Sequence, residues 1–532
     1  MHKTAVGYAI GKFMQVLAAT LLVPLAIAVY HNRQGGWWQT IFTAEVAGFV
    51  IAVITSVAVG TLLVSFCRSG RDQQGIREGY AIVTIGWFSL ALLASIPLFV
   101  YFISQRGGGL GAIVHSFTDA YFEIMSGFTT TGASILTNVE ALPQSLLFLR
   151  ALTHWLGGMG IITLAMVIFP AMGVSGYQMF RGEVPGPTKD RLRPRLAQTA
   201  SVLWGVYLLL SAIETLLLLL GGMSLFDAVC HTFATMATGG FSTKNASIAA
   251  YNSDFIQWVI IIFMYFAGIN FLLHFKAIRG DLTSLVRNRE FSFYTSVIVA
   301  AIVLITCVLF LHGLAPQEAA ADHYRASGMT EEQFHAHYVS QEETVSGLYR
   351  TLRTAAFQTL AIVTTTGFVT ADFDLWPDFL RFLLLLLMFF GGCAGSTGGG
   401  MKMIRVMIVL KMARNELRKL TQPRLVSPVK IGGETVDEPR IVNIVAFTIL
   451  FIGLFLTTAL LMTLFVPDLT TAFACSAATI ANIGPGLSGI GAVENYAWIP
   501  IPGKWVLIFS MLLGRLEIFT VLIVLRPAVW RK

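Results

Sequence analysis

The sequence predicts an all-α polytopic membrane protein: four pseudo-repeated helix–pore-loop–helix units around one pore, plus an N-terminal helix pair, with about ten spans and four re-entrant pore helices. Three observations carry this. Charged residues make up 12% of the 532 and hydrophobic ones 55%, with a mean hydropathy of +0.71, whereas soluble domains carry about 25% charged residues. Apolar runs recur along the chain, each near the roughly 20 residues that a span requires. Between them, a short segment that cannot itself span recurs four times.

The elements follow in order. Residues 1–70 supply the N-terminal pair, with apolar runs at 13–30 and 40–66. Lys3 precedes an apolar run without a small-residue cleavage site, which reads as a retained helix rather than a signal peptide. Unit one covers 71–185 (runs 80–104 and 145–170) and unit two 186–285 (runs 200–221 and 255–275). Unit three covers 286–425 (291–313 and the short 377–391), and unit four 426–532 (441–466 and 501–526).

Charge placement orients the chain. With the N-terminus cytoplasmic, most of the 36 Lys and Arg lie inside, in clusters around Arg68–Arg77, Arg181–Arg195, Lys276–Arg289, Lys402–Arg440 and Arg526–Lys532. Glu140, Asp254, Glu318, Asp322, Glu331, Glu332, Asp372 and Asp374 collect outside, as the positive-inside rule requires. The net charge of +7 therefore reports membrane orientation and no nucleic-acid surface. Cys67, Cys230, Cys307, Cys393 and Cys475 stand singly in mostly apolar contexts, which argues for buried free thiols and against a disulfide or zinc framework.

The recurring segments are DAYFEIMSGFTTTGAS (119–134), DAVCHTFATMATGGFS (227–242), TAAFQTLAIVTTTGFV (354–369) and TAFACSAATIANIGPG (471–486). Superposed without gaps, they align Asp119, Asp227, Thr354 and Thr471 as helix N-caps. Thirteen residues later they align Gly132, Gly240, Gly367 and Gly484. About nine helix-compatible residues are too few to cross a bilayer, so each segment reads as a pore helix entering from outside and a strand returning outward. Such backbone survives at membrane depth only where it lines a water-filled cavity or is buried in protein.

A monovalent cation can exchange its hydration shell for backbone carbonyls. Thr130, Thr131, Thr238, Gly239, Thr365, Thr366, Asn482 and Ile483 offer them just before each glycine. Glycine permits the required geometry, and pore-helix C-termini present their negative dipole ends to the axis. No acidic or basic ring occurs at the repeat centres, so the pattern favours potassium-like ions. One aligned glycine per copy implies a short filter, and the divergent fourth copy implies only approximate four-fold symmetry.

Two features break the repeat. GGCAGSTGGG (391–400) places six glycines in ten residues at mid-membrane, a loop beneath the filter whose Gly395, Ser396, Thr397, Gly398 and Gly399 are candidates for an obstruction. Arg515 lies inside an apolar run, where a charge is costly and usually functional. It can repel cations, restrain the glycine loop, or pair with Glu517 or Glu214. His154, Trp155 and the run 157–160 read as packing features, and the HAH at 335–337, in a polar outer loop over 312–348, is weak as a metal site. A membrane enzyme would need HExxH, GxSxG or an intramembrane carboxylate pair; none is present, nor is a P-loop or a strand-linked GxGxxG.

The motifs TTTGAS, TGGFST, TTTGF, NIGPGL, CAGSTGGGMK and LGRLEIFT together resemble the superfamily of Trk, Ktr and HKT cation transporters, and most closely its TrkH-type potassium-uptake subunits. The resemblance spans nearly the whole chain. It implies a Trk-system protein of the cytoplasmic (inner) membrane that moves K⁺ and has no nucleotide site of its own. It also implies a homodimer with one pore per subunit, docked on a cytosolic ring of nucleotide-binding, TrkA-like regulators. Lys402–Arg440 would be the docking surface, residues 391–400 and Arg515 the gate, and Gly132 the mark of potassium preference. The alternative is a sodium-permeable or sodium-coupled cation transporter of the same architecture.

Overall fold

The computed structural model describes residues 1–33, 43–71, 75–168, 192–317, 330–422 and 427–530. Of the charges named above, Arg181, Lys189, Arg191, Glu318, Asp322, Arg424, Arg531 and Lys532 lie outside the described residues.

Helices α1 (Lys3–Asn32) and α2 (Ala44–Phe66) form the N-terminal pair. Gly11 and Gly60 face each other's backbone, and a Cβ on either would sit 2.8–2.9 Å from the opposite carbonyl oxygen. Small residues at such a crossing let apolar helices approach closely where no hydrophobic force drives them together. The pair packs against the first unit, α1 along α3 and α6, and α2 along α4.

Unit one comprises α3 (Ile76–Ala94), α4 (Ile96–Arg106), the pore helix α5 (Leu110–Phe128) and α6 (Gln144–Ile168). Unit two comprises α7 (Leu192–Leu220), the pore helix α8 (Leu225–Met236), α9 (Asp254–Ala267) and α10 (Phe271–Ile278). A short α11 (Thr283–Arg287) leads into unit three. That unit contains α12 (Arg289–His312), a polar helix α13 (Glu331–Thr344), the pore helix α14 (Leu348–Val363), α15 (Asp378–Leu387) and α16 (Met403–Thr421). The hairpin β1 (Lys430–Ile431) and β2 (Glu434–Thr435) precedes unit four. That unit contains α17 (Glu438–Met462), the pore helix α18 (Leu469–Ile480), α19 (Ile501–Arg515), α20 (Phe519–Leu525) and α21 (Pro527–Trp530).

Among the described residues, five single helices are long and apolar enough to cross a membrane, and three bent pairs join them. Their outer faces leave Ile54, Leu216, Val303 and Leu460 exposed, as lipid contact allows and water does not. Beside the apolar core, Thr129, Thr130, Thr131, Thr235, Thr238, Thr364, Thr365, Thr366, Thr479 and Asn482 are all fully buried.

The structure corrects several expectations. The run 80–104 bends at Ser95, ahead of Pro97, by 40°. The runs 255–275 and 501–526 are not single spans: α9 and α10 meet at 104°, and α19 and α20 at 116°. The second helix is thus broken in units two, three and four, not in unit three alone. The glycine-rich stretch is the longest of these breaks, and its ends are pinned by a bridge between Phe390 and Met401.

None of the four aligned residues is an N-cap. Helix α5 starts at Leu110 after Gly109 and α14 at Leu348 after Gly347, so Asp119 and Thr354 are interior. Ser224 caps α8 and Asp468 caps α18, which places Asp227 and Thr471 in first turns. Upstream residues able to cap or continue the helix decide each start. Asp119 is freed for an ion pair with buried Lys504 (2.7 Å) and with Arg106 (2.6 Å). Of the free cysteines, Cys230, Cys393 and Cys475 are buried, but Cys307 is exposed on α12 and Cys67 is half-buried.

Candidate functional site

The four pore helices end identically. Thr130, Thr238, Thr365 and Asn482 each adopt a left-handed conformation, with φ of 49°, 54°, 61° and 57°. Each donates its N–H three residues back, while the N–H of the next residue reaches five back: Thr131 to Ser126, Gly239 to Ala234, Thr366 to Ala361 and Ile483 to Ala478. This is a Schellman-type close, except that glycine, its usual left-handed residue, is replaced by threonine or asparagine. A β-branched residue there is strained. In units one and three the threonine just before it bonds back to the last turn of the helix. Thr129 Oγ1 donates to Met125 O and Thr364 Oγ1 to Leu360 O, and each contacts the hydroxyl two residues on at 2.8 Å.

Two residues after each left-handed position comes the aligned glycine, again at positive φ: 79° for Gly132, 77° for Gly240, 74° for Gly367 and 97° for Gly484. Here glycine is required twice over. A Cβ on Gly132 would run into the carbonyl oxygen of Gly239, on Gly240 into that of Thr366, and on Gly367 into that of Ile483. On Gly484 it would lie 2.6 Å from the oxygen of Thr131. The order is one to two, two to three, three to four, and four back to one. The carbonyls of Thr131, Gly239, Thr366 and Ile483 therefore form a closed ring, each oxygen seated against the glycine of the preceding unit. Asn482 closes the seam between the first and last units, donating to Thr131 Oγ1 at 2.8 Å and to Met511 O at 2.9 Å.

The glycine-rich loop lies against the side of this ring where the pore helices end. Gly399 N donates to Thr365 Oγ1 at 2.7 Å, and a Cβ on Gly398 would sit 3.0 Å from Thr364 O. Gly399 packs on Ala481 O too closely to carry a side chain. Thr397 Oγ1 donates to Met236 O at 2.9 Å, with Ala267 O at 3.3 Å. Phe271 N donates to Gly395 O at 3.1 Å. Arg515 is fully buried and donates to Thr397 O at 2.7 Å and to Gly157 O at 3.1 Å. It pairs with neither carboxylate considered for it: Glu517 bonds Arg405, with no such bond to Glu214.

Several participants are not legible as such in the sequence. Lys402 is buried and donates to Gly398 O, although positive-inside bias alone accounts for its charge. Glu290 accepts from Ala394 N at 2.7 Å and Ile404 N at 3.1 Å, tying the first half of the loop to the start of the helix that follows it. Outside the ring, His337 of α13 bonds Asp372 at 2.9 Å, so the HAH segment is a strut. No cluster of metal-ligating side chains occurs among the described residues.

A helical membrane protein whose four pseudo-repeats close a ring of backbone carbonyls under one another's glycines is a transport protein rather than an enzyme. A family model described as "TrkH: Cation transport protein" matches residues 46–532. The chain is 35% identical to the Trk system potassium uptake protein TrkH of Escherichia coli (strain K12) over all of both chains. It is 36% identical to the TrkH of Halomonas elongata over 98% of both. The crystal structure of the potassium transporter TrkH from Vibrio parahaemolyticus superposes with a TM-score of 0.83 at 32% identity, covering 100% of each chain. The chain belongs to the TrkH family of cation transport proteins.

Proposed function

We propose that this protein takes up potassium across the cytoplasmic membrane through the carbonyl ring, with loop 391–400 and Arg515 as the gate beneath it. The observation that carries the reading is the ring itself, in which the same two backbone conformations recur in every unit and each of four oxygens is seated against a neighbouring unit's glycine. A ring of carbonyls replaces a monovalent ion's water. Thr130, Thr238, Thr365 and Asn482 extend the lining by one residue. The relatives above are potassium-uptake proteins by name, which supports potassium as the ion. In the same reading the protein is a homodimer with a pore in each copy. A TrkA-like nucleotide-binding regulator meets the basic inner face formed by α16 and the hairpin.

The test is potassium uptake in uptake-deficient cells expressing the chain with its regulator, wild type against Gly132→Ser. A side chain at φ 79° that meets the Gly239 carbonyl must displace one oxygen of the ring. The expected outcome is a higher half-saturating potassium concentration and admission of sodium. An inserted Gly132→Ser protein with unchanged affinity and selectivity would remove the ring from the pathway.

A further inference from the structure

We infer that Arg150, held by Glu123, is a positioning residue for the filter, locking the return strands of units one and two together from behind; this rests on the filter reading above. Arg150 on α6 and Glu123 on α5 are 2% and 0% exposed, with Arg150 Nε donating to Glu123 Oε1 at 2.8 Å. Both partners also hold strand backbone or side chain just past the filter glycines. Glu123 accepts from Ile135 N and from Ser134 Oγ, each at 2.9 Å. Arg150 donates through Nη1 to Ser242 O of unit two at 3.2 Å and through Nη2 to Ser134 Oγ of unit one at 3.4 Å. Its guanidinium also lies 4.0 Å from the centroid of Phe241, the residue after Gly240, and His154 one turn on stacks against the same ring at 4.1 Å.

The other units show what Glu123 is for. Nine residues before each filter glycine stand Glu123, His231, Gln358 and Cys475. His231 Nδ1 donates to Asp227 O, which leaves Nε2 to accept from Ser242 Oγ at 2.9 Å. Gln358 donates to Ala371 O at 3.3 Å. In units two and three, then, this position clips a return strand to its own pore helix with a neutral contact. Only unit one uses a charge, and its partner's fork reaches the next unit as well. Arginine suits this because its donors are fixed in one plane and several can be used together. A buried pair of this kind rarely adds stability over an apolar pair, but it fixes geometry, and removing one partner strands a charge.

The test uses the full chain with its regulator in uptake-deficient cells, measuring inserted protein, half-saturating potassium and the potassium-to-sodium uptake ratio. Arg150→Gln and Glu123→Gln are expected to raise half-saturating potassium roughly tenfold and lower the ratio, since a sub-ångström displacement of positioned groups has effects of that order. The double substitution, which strands no charge, is expected to be less severe than the sum of the two. Arg150→Lys keeps the charge beside Glu123 but loses the fork, so it inserts normally and still loses ratio; it carries the test where the glutamine variants fail to insert. Variants that change only the inserted amount, with half-saturation and ratio as in wild type, overturn the inference. If Gly132→Ser shifts selectivity while these variants do not, this inference alone fails. If Gly132→Ser is also silent, the filter reading fails with it.

Discussion

Thr397→Val isolates the restraint on the glycine loop. Valine keeps the shape of threonine in a fully buried position and deletes only the hydroxyl. That hydroxyl supplies one proton, held mainly by Met236 O at 2.9 Å at the end of the second pore helix, with Ala267 O at 3.3 Å as a weaker second acceptor. A neutral hydrogen bond contributes about 1 kcal/mol, and stranding its buried acceptor costs about 1–3 kcal/mol. A shift of about 1–2 kcal/mol corresponds to roughly 5–30-fold in a two-state ratio. With the loop as the barrier, potassium flux into liposomes without the regulator should rise by that factor, while flux with activated regulator changes little. Unchanged unregulated flux from well-inserted protein would refute the loop's role as barrier. Combining the change with Arg515→Gln, which removes the charged donor to the carbonyl of the same residue, should give less than the product of the two effects, because both release one segment.

Two further predictions follow from packing and from burial. Gly514→Ala would drive a Cβ into the carbonyl of Ile480 and to 2.9 Å from Asn482 Oδ1. Such overpacking costs about 1–3 kcal/mol, so thermal stability in detergent should fall. Gly453→Ala, at a helical site open to its surroundings, should be neutral or mildly stabilising. Asp374, outside the spans between the Gly367 turn and α15, has its carboxyl pushed up to about 7 by burial and by the neighbouring Asp372 charge, opposed by Ser488 N–H and Arg381. A raised carboxyl favours the folded state when protonated, so its contribution is present below 3.8 and is lost as pH rises through about 7. Asp374→Asn should flatten the pH dependence of melting across that window, and an unchanged slope would refute the assignment.

The ring was legible in the sequence because its constraint is on the backbone. A left-handed residue pressed against a neighbouring carbonyl admits only glycine, so Gly132, Gly240, Gly367 and Gly484 recur at one spacing while their neighbours drift. Arg515 was legible because a charge in an apolar run has no innocent placement. The helix starts were not, since a cap is chosen by whichever upstream residue reaches the first free N–H, and Ser224 and Asp468 lie just outside the repeated window. The breaks after Ala267 and Arg515 were hidden because each interrupts its apolar run by only three residues, Gly268–Asn270 and Leu516–Ile518; Glu517 and Ile518 take left-handed φ of 56° and 44°, where no glycine stands to signal it. Lys402 was hidden for the opposite reason, since a basic residue near a cytoplasmic helix end is expected on orientation grounds alone, and Arg150 because its partner Glu123 lies 27 residues away on another helix.

The seat of each oxygen on the preceding unit's glycine, in a ring closed within one chain, also sets how such a pathway can change over generations. In an assembly of four identical subunits, one codon alters all four quadrants at once, and intermediate states are unreachable. Here a single substitution alters one glycine and the one oxygen seated on it and leaves the other three seats intact, so the ring can change one seat at a time. The fourth unit, with Asn482 and Pro485 where its siblings carry other residues, already stands one such step away from the rest.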